Sequence, residues 1–189
     1  MANPDNPSGL TPVCYMNGAP YNGQCQEFET LAGDAAQILI GDPVKLGGSS
    51  TSGYPTATLA AAGDTVVGVC VGVKPTDRDS SIYRAASSTT HIFVATDPQI
   101  LFEVQEDSAG GDIALASIGL NCTLITAAGS TFTGISGWEL DSSTVATTNT
   151  LDVQIIRGVD REDNTLNSDN ARWLVRLNNH QYVDGTTGV

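Results

Sequence analysis

Positive charge is scarce in this sequence. Eight Lys and Arg stand against 21 Asp and Glu over 189 residues, a net charge of −13, and no basic residue precedes Lys45. Lysine occurs only at Lys45 and Lys74. Binding to a phosphate backbone or an anionic membrane requires Lys and Arg to neutralise it, so nucleic acid and membrane surfaces are not expected partners. Long hydrophobic runs are missing too. The longest, Val66 to Val73, is too short to span a bilayer. The opening Met-Ala-Asn-Pro-Asp-Asn-Pro has neither a basic stretch nor an apolar core, so no secretory signal is expected and synthesis in the cytoplasm is.

Reactive signatures are equally absent. No P-loop, GxGxxG, HExxH or GxSxG occurs. The two histidines, His91 and His180, are far apart; His91 reads as an ordinary strand-edge residue and His180 as a solvated or hydrogen-bonding one. Cys14, Cys25, Cys70 and Cys122 form no CxxC pair. Cys70, among valines, reads as a small buried hydrophobe, and a reducing cytosol argues against a Cys14–Cys25 bridge. The acidic run Asp160 to Asp169 offers oxygen ligands of the kind calcium takes. It lacks an EF-hand's glycine and closing glutamate and reads as a solvated loop. Asp77 and Asp79, and Glu103 with Glu106, read as surface charges. No enzyme activity and no cofactor are expected.

What is present is β-structure. In Val66 to Val73 the odd positions are all valine, while Gly68, Cys70 and Gly72 alternate with them. That predicts one bulky face and one small face closely approached by another strand or chain. His91 to Asp97 reads as a strand, and Gln37 to Ile40 leads through Gly41-Asp-Pro43 into Val44 to Leu46. Ile100, Phe102 and Val104 predict a half-buried strand; Leu151, Val153 and Ile155, then Trp173, Val175 and Leu177, supply further core candidates. Helical signal is poor, with one or two turns expected over 112–118 under an Asp112 cap. The fold class is therefore all-β, a β-sandwich or β-barrel body, here bounded as 27–189.

Residues 1–26 differ. Prolines at 4, 7, 12 and 20 and glycines at 9, 18 and 23 exclude helix and central strand. A disordered terminus is one reading. Tyr15, Met16 and Tyr21 embedded there favour another, an extended N-terminal arm able to reach roughly 80 Å. Its candidate binding residues are Pro12, Tyr15, Met16, Pro20 and Tyr21, since aromatic side chains are enriched at interface hot spots.

Several segments together resemble tailed-bacteriophage structural proteins of the head decoration, or capsid cement, type. They are Asn3 to Gly9, Asn17 to Gly23, Ile40 to Leu46, Tyr83 to Ser87, Val94 to Pro98 with Phe102 to Gln105, and Arg172 to His180. The resemblance implies a non-enzymatic protein on the outer capsid surface of the virion, bound to the major capsid protein as a homo-oligomer, a trimer being favoured. It carries no catalytic residues. The rival reading is a receptor- or glycan-binding β-domain of a tail or surface structure, for which Trp138 is the available aromatic platform. An enzyme assembled between subunits would need metal at Asp160 to Asp169.

Overall fold

The computed structural model describes residues 3–50, 52–183 and 185. Twelve strands follow in chain order: β1 (Thr11–Tyr15), β2 (Gln26–Thr30), β3 (Pro43–Leu46), β4 (Ala57–Leu59), β5 (Gly68–Val73), β6 (Thr90–Ala95), β7 (Ile100–Gln105), β8 (Asn121–Cys122), β9 (Leu124–Ile125), β10 (Glu139–Leu140), β11 (Val153–Gly158) and β12 (Arg172–Leu177). The all-β expectation holds. Two five-stranded antiparallel sheets, ordered β1-β7-β12-β11-β8 and β2-β6-β5-β3-β4, are accompanied by a β10-β9 ribbon that meets the first sheet at the Glu106–Leu140 bridge. No helix among the described residues is long and apolar enough to cross a membrane.

The second sheet closes on itself. Glu29 bridges Thr56 in parallel, and its amide donates to the Pro55 carbonyl at 2.9 Å, so β2 meets the chain entering β4. The result is a small barrel filled by Phe28, Ile38, Val44, Ala57, Val67, Cys70, Ile92 and Val94. A larger core lies between the barrel's outer wall and the first sheet, built on Phe102, Trp138, Ile155, Trp173 and Val175, with Val69 and Ala95 entering from the barrel side. Val153, Ile155, Trp173, Val175 and Leu177 take the core positions expected of them, while Leu151, just before β11, is only half-buried.

Strand β5 is the shared wall, and here alternation misleads. Its odd valines do not share a face. Val69 and Val71 belong to the main core and Val73 to the barrel, because the register slips between Cys70 and Gly72; Val67, which precedes β5, also enters the barrel. A bulge of this kind swaps the faces on either side of it. The close approach expected at the glycines is real at Gly68, where a Cβ would stand 2.2 Å from the Ala95 carbonyl oxygen. At Gly72 it would meet only the Phe93 ring at 3.6 Å.

Other expectations need correcting. Strand β7 is buried on both sides, not half-buried. Leu101 and Gln105 join Phe102 in the interior because the N-terminal segment lies across them. Glu106, read as a surface charge, is buried, and so is Asp152 between the core positions of β11 and its lead-in. Residues 112–118 hold only a 3₁₀ turn at Leu115–Ser117, with Ala114 rather than Asp112 at its N-cap position. His180 is buried, its Nδ1 accepting from the Tyr182 amide at 3.1 Å. Cys70 is buried as expected, and all four cysteines are free.

Candidate functional site

The five arm candidates lie along one stretch of chain that folds against the body. Leu10 is fully buried in the main core, and β1 then pairs antiparallel with β7, slipping register between Pro12 and Cys14. After Tyr15 the chain turns through Gly18 (φ +84°) and runs back along β1: Tyr15 donates to the Ala19 carbonyl at 2.8 Å, and Tyr21 to that of Val13 at 2.9 Å. The return strand covers part of an edge that would otherwise offer free backbone groups.

The two tyrosines brace this hairpin. Their rings pack at 6.2 Å between centroids and lie against the main core. Tyr15 donates to the Gln24 side chain at 3.0 Å and Tyr21 to the Gln24 carbonyl at 2.9 Å. Burial, with Cys25 and Tyr15 adding, pushes the Tyr21 hydroxyl up to about 12, so it remains a donor. Val13, Met16 and Pro20 are left exposed. Pro12 and Tyr21 instead line an uncharged cleft of about 320 Å³ together with Leu10, Ile40, Val71 and Ile135.

Residues 3–8 are held as a polar strap. Asn3 donates to the Thr165 and Asp169 carbonyls at 2.9 and 2.8 Å and accepts from the Thr165 amide at 2.7 Å. Gln105 accepts from the Asn6 amide and donates to Asp5 and Glu139. Arg172 donates to the Asn6 carbonyl at 2.7 Å.

Two acids under and beside this strap titrate late. Burial raises Glu106 to about 7, although it accepts from the Ile113 amide and Trp173 Nε1, and its Oε1 has no hydrogen-bond partner among the described residues. Burial, then repulsion from Asp5 and Asp107, raises Glu139 to about 7. An acid whose folded pKa exceeds its unfolded value binds its proton more tightly in the folded state. Stability then falls as pH rises from 4.5, the ordinary glutamate value, to about 7. Calorimetry is expected to give a higher Tm at about pH 5 than at about pH 8, and Glu106→Gln is expected to flatten that slope. A Tm that rises across this window refutes the assignment.

The sequence gives little hint of a second feature, the loop 127–137. Ser130 donates to the Ile135 carbonyl at 2.9 Å, Gly134 to that of Ser130 at 2.7 Å, and Ile40 to that of Gly134 at 2.8 Å. At its tip Phe132 is 92% exposed, two residues before Gly134, against which Ile82 packs. The readable signal is electrostatic: from Ile113 to Trp138 no residue is charged.

The other candidates have partners within the fold. Trp138 is in the core and offers no exposed platform. His91 lies in β6 with its Nδ1 2.9 Å from Glu27, which also holds Lys74 at 2.6 Å. In the acidic loop Arg161 pairs with Asp163 at 2.6 Å and Glu103 at 3.1 Å. No group of three or more His, Cys, Asp or Glu among the described residues is arranged to hold a metal. No family model, no curated protein and no solved structure matches this chain.

Proposed function

We propose that this protein is a non-enzymatic structural protein of the bacteriophage head decoration type, which binds the outer face of an assembled capsid and reinforces it. The observation that carries the reading is the braced β1 hairpin, which holds Val13, Met16 and Pro20 outward on a rigid support. A contact built on pre-ordered side chains loses little conformational entropy on binding. The major capsid protein is the partner. A protein that binds the assembled shell and not its separated subunits raises the free energy of shell opening by mass action. The charge of −13 keeps decorated particles apart in solution.

The test is co-sedimentation with capsids lacking the protein. Deleting residues 1–26 is a poor probe, because it removes Leu10 from the core and a whole edge strand. Val13→Asp with Met16→Asp alters only exposed positions. Saturable pelleting of the wild type, weakened at least tenfold in the double variant, is expected; tenfold corresponds to about 1.4 kcal/mol. Wild-type protein that stays in the supernatant overturns the reading, and pelleting unchanged by the double variant removes the hairpin from it.

A further inference from the structure

Phe132 is the most exposed large apolar side chain described, and the loop beneath it is anchored. The loop that carries it is pinned at Ser130, Gly134 and Ser136 by backbone hydrogen bonds, the last two to Ile40. It is also too tight to relax. A Cβ at Gly137 would stand 2.8 Å from the Ala127 and Ala128 carbonyl oxygens. The anchored loop therefore presents Phe132 outward as a knob.

A hole lies beside it. The uncharged cleft of about 320 Å³ between Pro12, Tyr21 and Val71 has Ile135 as one wall, and Ile135 belongs to the loop that carries the knob. Knob and hole thus share one loop, three residues apart. Fully burying an aromatic ring removes roughly 150–250 Å² from water, which is unfavourable surface to leave in solvent.

Charge selects the occupant. Two copies of a chain at −13 repel each other across most of their surface. They can approach closely only where charge is lacking, and neither the segment from Ile113 to Trp138 nor any residue lining the cleft is charged. A basic partner would seek the acidic surfaces instead. We propose that a second copy of this chain docks here, each copy placing Phe132 in the Pro12–Tyr21 cleft of the other about a two-fold axis.

The geometry favours two-fold pairing over a ring. A ring of head-to-tail contacts needs knob and hole on different faces, whereas adjacent ones satisfy each other reciprocally. Pairing therefore gives an even number of copies, in contrast to the trimer that the phage resemblance implies. Two reciprocal rings bury roughly 300–500 Å² of the ~1,200 Å² typical of the smaller specific interfaces, with Ile82 and Ile135 at their margins, so dimerisation is concentration-dependent. It uses neither Val13 nor Met16 and does not rest on the capsid reading.

Sedimentation velocity of the full chain, without capsids, tests it. The wild type at high micromolar concentration is expected at twice the 19.6 kDa chain mass. Phe132→Ser and Thr11→Glu, which places a charge at the cleft's exposed margin, are each expected to sediment as monomers with unchanged circular dichroism and Tm. Added salt is expected to tighten the wild-type dimer several-fold by screening like charges, the reverse of an interface held by ion pairs. A wild-type monomer or trimer, or a dimer that survives both substitutions, overturns the proposal.

Discussion

Arg84→Ala is expected to destabilise the fold by about 3–5 kcal/mol, the range for removing one partner from a buried charged network. Arg84 is completely buried. Its Nε donates to Thr30 Oγ1 and the Ser88 carbonyl, both at 3.2 Å; Nη2 donates to the carbonyls of Leu31 at 2.7 Å and Ser88 at 3.0 Å; Nη1 donates to that of Ala36. The Asp34 carboxylate lies 3.9 Å away. One planar fork thus satisfies irregular backbone from the 31–36 and 84–88 segments, which close one end of the barrel. Truncation leaves three carbonyls without these donors and opens a cavity where the side chain stood.

Arg84→Met separates the two contributions, since it keeps much of the volume and removes every donor. Arg84→Lys keeps the charge but replaces a five-donor fork with a point, and is expected to recover little. For a domain of this size the Ala variant lowers Tm by roughly 6–20 °C, at about 2–4 °C per kcal/mol. Scanning calorimetry reads it directly. If Arg84→Met is as stable as the wild type, packing rather than hydrogen bonding accounts for the site.

Nothing in the sequence around Tyr83-Arg-Ala-Ala-Ser marks this arginine as buried, because its partners Thr30, Leu31 and Ala36 lie about 50 positions away and offer mainly backbone oxygens. The same limit hid Glu106, which is buried by contact with Ile113 and Trp173. Strands whose period is undisturbed, such as Trp173 to Leu177, were legible because the pleat alone sorts their side chains. Alternation failed at β5, where the bulge reverses faces without any change in composition. In the candidate site, the aromatic residues of the hairpin stood out against their Pro- and Gly-rich setting. Phe132 did not, since an exposed ring carries no pattern; only the charge-free run around it was there to be read.

Gly9→Ala is expected to cost about 2–5 kcal/mol and to loosen the strap over residues 3–8. Two effects combine. Gly9 has φ +63°, a left-handed conformation that costs about 1–2 kcal/mol for a residue with a Cβ. It also lies at a junction of three backbones. A Cβ there would stand 2.5 Å from Ser136 Cβ and 2.6 Å from the Gly41 carbonyl oxygen, an overpacking worth about 1–3 kcal/mol more. That oxygen accepts from the Leu10 amide at 3.0 Å, so the added methyl strains the bond that seats Leu10 in the core. Trypsin is blind to this region, which lacks Lys and Arg before Lys45, but chymotrypsin cuts after Leu and Tyr. Native Gly9→Ala protein is expected to be cleaved at Leu10 or Tyr15 under conditions that spare the wild type. Gly18→Ala is the control: its φ is +84°, but a Cβ there meets nothing within 4 Å. It carries the conformational cost alone and is expected to destabilise by no more than about 1–2 kcal/mol. The difference between the two variants measures the close approach, and equal losses of stability would remove the three-backbone junction as the reason for Gly9.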